Sequence, residues 1–338
     1  MNGERIAKIL PIPVTHTPKA LQIMWPYVQI ARVDHWFKNI FMILGIILAV
    51  FYDPKLLNGD SVVTIAIAVF ATCLVASSNY VINELLDAPY DCMHPVKKDR
   101  PVPSGKIQHR WALIEWFVLG VTGLVLAFNL NWWFGMAALF LLISGLLYNI
   151  PPIRTKELPY LDVLSEALNN PIRLFLGWFA LIPDKLPPLS LTLAYWMVGA
   201  FFMATKRFAE YRRIADPSRA SRYRKSFAHY TENRLLLSMF FYAMACAFMS
   251  GIFLIRYHME LVLFVPMAAG FLTYYLKIGL LENSPVQNPE KLFKQSGLLL
   301  YLVLCSMAFI VLMFVKIPLL YEIFNVNPSD LSPLWIMG

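Results

Sequence analysis

The sequence predicts an all-α, polytopic membrane protein, and three observations carry that expectation. Of 338 residues, 58% are hydrophobic and only 15% charged, where a typical soluble domain carries about 25% charge. The apolar residues gather into nine runs, each near the twenty or so residues that a helix needs to cross the hydrocarbon core. Lys and Arg are distributed with a strong bias between alternate connections: 24 on one side and four on the other, with Arg173 inside a run. By the positive-inside rule the richer side is cytoplasmic, which places the N-terminus in the cytoplasm and the C-terminus on the opposite side. The net charge of +8 is then a topological signal and implies no nucleic-acid partner.

The elements follow in order. Residues 1–35 mix polar and apolar side chains, show no cleavable signal pattern, and suit a cytoplasmic segment with a surface-lying helix. Spans are expected at 36–54, 62–86, 111–129, 132–150, 160–182, 190–212, 234–256, 259–281 and 296–316. Together 36–316 form the membrane domain, and 317–338 a non-cytoplasmic tail. Pro89 is expected to end the second span and leave Asp91 on a loop. The spans show no internal repeat of the transporter kind. Cys73, Cys246 and Cys305 lie in apolar runs and Cys92 in a loop, so no disulfide is predicted.

Ionisable side chains within spans cost roughly 2.5–3.5 kcal/mol each on insertion scales, so they should face the bundle interior. Three clusters do this near the basic end. The first is Asn83-Glu84-Leu85-Leu86-Asp87-Ala88-Pro89-Tyr90-Asp91. Its amide and three carboxylates suit Mg²⁺, which takes a few carboxylates together with substrate phosphates. Acids at a helix C-terminus oppose the dipole and call for a compensating cation. A solvated helix end is the plainer reading. The loop beyond, His94 to Pro101, carries Lys97 and Arg100, which serve either phosphate or topology. The second cluster is Asp162, Glu166, Asn169 and Arg173, which fall within about 60° of one another on an unbroken helix. Either they line a cavity, or an acid simply pairs with Arg173. The third is Lys206-Arg207-Phe208-Ala209-Glu210, with Arg213 one turn on; the plain alternative is a basic stop-transfer end. Arg222 to Ser226 forms another phosphate-friendly stretch. Lys38 and Asn39 stand at the start of the first run, where Lys38 either snorkels or points inward; Tyr148 stands at the end of the fourth, with Arg154 and Lys156 beyond it.

These residues resemble the UbiA superfamily of intramembrane prenyltransferases over nearly the whole chain. The family signature Asn-Asp-x-x-Asp-x-x-x-Asp stands here as Asn83-Glu84-x-x-Asp87-x-x-x-Asp91. The second, Asp-rich family signature is replaced by Lys206-Arg207-x-x-Glu210. That pattern is similar to the decaprenyl-phosphate phosphoribosyltransferase branch, as are Arg32-x-x-His35-Trp36-x-Lys38-Asn39, the His94-Pro95 loop, Arg224-Lys225-Ser226 with Tyr230-Thr231, and Asn288-Pro289-Glu290. The resemblance implies nine helices around a central cavity and Mg²⁺ held by Asn83, Glu84, Asp87 and Asp91. It implies phosphoribosyl diphosphate as donor and a polyprenyl phosphate as acceptor, in a bacterial or archaeal cytoplasmic membrane. Asp162 or Glu166 would steady the reacting sugar; Lys206, Arg207 and Arg213 would bind phosphate. The alternatives are a UbiA-type prenyltransferase or terpene cyclase using a prenyl diphosphate, and a transporter. An oligomer is left open.

Overall fold

The computed structural model describes residues 19–92, 97–287, 292 and 295–327. The expectations on His94-Pro95, on Asn288-Pro289-Glu290 and on residues 1–18 and 328–338 lie outside the described residues. The helices are α1 (Lys19–Ile30), α2 (Ile43–Tyr52), α3 (Gly59–Asp91), α4 (His109–Leu130), α5 (Trp132–Asn149), α6 (Leu161–Ala167), α7 (Asn169–Phe179), α8 (Leu189–Ile214), α9 (Pro217–Tyr223), α10 (Glu232–Tyr257), α11 (Val265–Gly279), α12 (Ser296–Phe314) and α13 (Pro318–Ile323). Among the described residues, eight helical stretches are long and apolar enough to cross a membrane. Local chemistry starts several of them. Asn58, Asn131 and Thr231 each turn a side-chain oxygen to an N–H in the first turn of α3, α5 and α10. All four cysteines are free.

Three expected elements differ, each for a physical reason. The start of the first span is a ten-residue 3₁₀ helix, Val33–Met42, which leads into α2. Such a run is long for this geometry, in which residues three apart eclipse one another. One row, Trp36, Asn39 and Met42, packs inward: Trp36 Nε1 donates to Ser77 Oγ, Asn39 donates to Cys73 Sγ, and Met42 is buried. The other row, His35, Lys38 and Phe41, meets Tyr80 and Tyr195. The 3₁₀ helix and α2 lie backbone-to-backbone on α7. A Cβ on Gly177 would come 2.1 Å from the Met42 carbonyl oxygen, and one on Gly45 2.1 Å from that of Leu174, so only glycine allows this crossing.

Second, α3 does not stop at Pro89 but continues through Asp91. Proline removes one N–H bond to Leu85, and in the last turn of a 33-residue helix that loss does not end the helix. Asn83, Asp87 and Asp91, spaced by four, therefore share one face. Third, the expected span at 160–182 is two helices, α6 and α7, broken at Leu168. Pro171 has no N–H for the Ala167 carbonyl, and Asn169 turns its side-chain amide back to the Glu166 carbonyl. The polar stripe is split as a result: α6 packs on α8, and α7 packs on the 3₁₀ helix, α2 and α5.

Candidate active site

On the α3 wall, each carboxylate of the face meets two bases. Asp87 Oδ1 accepts from Lys156 Nζ at 2.5 Å and from Arg154 Nη2 at 2.9 Å. Asp91 lies 2.8 Å from Arg100 and 3.7 Å from Lys97. Asn83 donates its amide to Asn149 Oδ1, which also accepts from Lys156. The cations come from two connections that fold over the end of α3. One is the loop of Lys97 and Arg100. The other is the α5–α6 turn, where Arg154 adopts φ 34° and Glu157 pairs with both Arg154 and Lys225. Burial pushes the Lys156 and Lys97 ammonium groups below their ordinary range, and Asp87 and Asp91 respectively oppose that shift.

Glu84 does not share this face. It is buried, and its Oε1 accepts the Val102 N–H at 3.1 Å. Its neighbours Val81, Leu85, Val102 and Ile107 form an apolar cluster under the loop. The resemblance implies a metal ligand here; the structure gives Glu84 to the backbone of the loop that carries Arg100.

On the opposite wall, the acids of α6 and α8 converge on one guanidinium. Arg207 is 1% exposed and meets Asp162 at 3.1 Å, Glu166 at 2.7 Å and Glu210 at 3.1 Å. Asp162, with no exposed surface, also accepts from Tyr230 at 2.6 Å and Ser226 at 3.1 Å, with Arg224 at 3.5 Å. Arg207 is therefore consumed by carboxylates and is not placed to bind a phosphate. Asp162 is enclosed by protein and is not placed to touch a sugar. Arg213 lies six residues on, on another face of α8, exposed and bonded to Gln287. Arg173 pairs with neither acid of its stripe. Its Nε donates to Asn39 Oδ1 at 2.9 Å, and its Nη1 to the Asn169 carbonyl.

The two walls are joined by Tyr148. Its hydroxyl donates to Glu166 at 3.2 Å, and Lys156 lies over its ring at 5.8 Å. Lys38 and Lys206 both lie within electrostatic reach of Glu166. Arg224, Ser226 and Tyr230 stand in sequence motifs that do not reveal their common partner, Asp162. Tyr80 and Tyr195 were missed altogether. The spacing of Tyr80, three before Asn83, is a usable signal; Tyr195 has none within its apolar run. Among the described residues, no three His, Cys, Asp or Glu side chains gather as a ready metal cage. The shallow concavity on α4, lined by Val121, Leu124, Val125, Phe128 and Asn129, contains no ionisable group and is separate from the site.

Fold and site together define an integral-membrane helical protein whose few intramembrane charges form an acid-and-base centre at one end of the bundle. Residues 39–303 match the model of the UbiA prenyltransferase family, and the chain belongs to that family. It is 27% identical over 212 residues to the decaprenyl-phosphate phosphoribosyltransferase of Mycolicibacterium smegmatis, covering 62% of this chain and 63% of that one. It is 32% identical over 118 residues to the protoheme IX farnesyltransferase of Flavobacterium johnsoniae, covering 35% and 38%. The matched region thus spans less than two thirds of either relative. In structure it is similar to a UbiA homolog from Archaeoglobus fulgidus bound to DMAPP and Mg²⁺, with a TM-score of 0.61 at 17% identity, over 88% of this chain and 100% of that one.

Proposed function

We propose that the protein transfers a 5-phosphoribosyl group from phosphoribosyl diphosphate to a polyprenyl phosphate, at the cytoplasmic face of a cytoplasmic membrane. One observation carries the reading. Asp87 and Asp91 are the acids free of Arg207, because that one residue holds Asp162, Glu166 and Glu210. A prenyl-diphosphate site with acidic metal ligands on both walls does not fit this arrangement, because the acids of the opposite wall are held by Arg207.

The acid face fits Mg²⁺. Asp87 and Asp91, with Asn83 one turn before them on the same face, would hold the ion through hard oxygen donors, fewer than it needs, and a diphosphate would supply the rest. Held there, Mg²⁺ would supply charge neutralisation for the leaving diphosphate. Arg154, Lys156, Lys97 and Arg100 exchange carboxylate partners for the phosphate oxygens of the donor. The C1–O bond breaks and its electron pair leaves with diphosphate. An oxygen of the acceptor phosphate, already anionic, forms the new bond to C1, so no strong general base is needed. Glu166, steadied by Arg207 and Tyr148, places negative charge near the oxocarbenium-like carbon.

The test uses membranes containing the protein. Label from phosphoribosyl diphosphate is expected to enter the lipid phase only when polyprenyl phosphate is added, and label from a prenyl diphosphate is not expected to enter an acceptor. The reverse pattern identifies a prenyltransferase and sinks the reading.

A further inference from the structure

Three cations in the membrane interior are not used by the ion pairs above. Lys38, Arg173 and Lys206 form no salt bridge with any carboxylate among the described residues, yet Arg173 is 6% exposed and the two lysines are half-buried. Lys38 lies within electrostatic reach of both Arg173 and Lys206. Among the described residues, Glu166 and Glu210 lie within electrostatic reach of Lys206, and Glu166 of Lys38, but both acids are already held by Arg207. Buried positive charge without a partner is strongly unfavourable, so the arrangement calls for an anion of about two charges.

The geometry is prepared for one. Asn39 fixes Arg173 through Nε, which leaves Nη2 with no protein acceptor among the described residues. The 3₁₀ period turns Lys38 away from Asn39 and sets its Nζ 5.7 Å from the centre of the Tyr80 ring. One eclipsed position further, Phe41 meets Tyr195 edge-on at 6.3 Å. Cations followed along one row by aromatic rings match an anionic head on an apolar chain. The donor's phosphates have their own bases around Asp87 and Asp91, on the other side of Tyr148.

We propose that Lys38, Arg173 and Lys206 form a subsite for the phosphate monoester of an isoprenoid lipid, with Phe41 and Tyr195 against its first isoprene units. This rests on the phosphoribosyl-transfer reading and deepens it by separating the acceptor's phosphate from the donor's.

The test measures binding to the full-length protein in nanodiscs. Geranyl phosphate, geraniol and, with Mg²⁺, phosphoribosyl diphosphate are the probes. Lys38→Gln and Lys206→Gln each remove a charge without breaking an internal hydrogen bond. Each is expected to weaken geranyl phosphate by about tenfold or more, the worth of a charge-assisted bond. Geraniol and phosphoribosyl diphosphate should bind as to wild type. Unchanged geranyl phosphate binding in both variants overturns the subsite and leaves the functional reading standing. Loss of phosphoribosyl diphosphate binding instead overturns the assignment to the acceptor. A wild type that binds neither geranyl phosphate nor phosphoribosyl diphosphate overturns the functional reading, and the subsite with it.

Discussion

Arg207 concentrates three carboxylates on one planar fork, which a lysine point charge cannot reproduce. Removing one partner of a buried ionic group leaves charge uncompensated and costs about 3–5 kcal/mol. Arg207→Met is therefore expected to lower the thermal unfolding midpoint of the detergent-solubilised protein sharply, and Arg207→Lys by less. Equal midpoints for wild type and both variants contradict the hub. Glu84 makes a finer prediction. Glu84→Gln keeps an oxygen acceptor for the Val102 N–H, so transfer should persist; Glu84→Ala frees the loop and should raise the donor KM. A metal ligand would behave otherwise, with Gln losing nearly all activity. Asp87→Asn, by contrast, should abolish transfer in a protein that still folds, and turnover by that purified variant would sink the metal assignment. The sequence made Asp87, Asp91, Arg154 and Lys156 legible because charge within a mostly apolar chain is rare. It could not tell which charges are spent on one another: Arg207 and Lys206 are adjacent in sequence, and only packing shows Arg207 in three salt bridges and Lys206 in none among the described residues.

At the scale of elements, hydrophobic length located the helices well. The run at 132–150 became Trp132–Asn149, and that at 190–212 became Leu189–Ile214. Length alone did not reveal the irregular pieces. The 3₁₀ helix Val33–Met42 and the break at Leu168 both lie at the site, and both depend on contacts distant in sequence, such as Asn39 with Arg173. The pairing of Gly45 with α7 was equally invisible, since it requires knowing which helix crosses there. Non-helical backbone at membrane depth is tolerated where protein buries it. The break can be tested through Pro171. Pro171→Ala restores an N–H for the Ala167 carbonyl and favours one straight helix, which would displace Arg173 from Asn39. Such a shift is expected to cut turnover by about 10- to 100-fold with the unfolding midpoint unchanged or raised. Wild-type turnover would show that the break is incidental.

At the scale of the molecule, the connections rich in Lys and Arg and the acid-and-base centre coincide at one end of the bundle, which the proposed reaction requires to face the cytoplasm, where a water-soluble donor would arrive. The sidedness is measurable because Cys92, beside Asp91, is the exposed cysteine. A membrane-impermeant maleimide should label it in inside-out vesicles and not in right-side-out ones; the opposite result inverts the topology. The central claim, phosphoribosyl transfer onto a lipid phosphate, has one direct measurement. Purified protein is given phosphoribosyl diphosphate carrying carbon label in the ribose, and polyprenyl phosphate carrying phosphorus label in its phosphate. The account predicts a single lipid product with both labels in equal amounts, dependent on Mg²⁺ and absent with Asp87→Asn. Recovery of the phosphorus label as unaltered polyprenyl phosphate, with no ribose in the lipid phase, would contradict it.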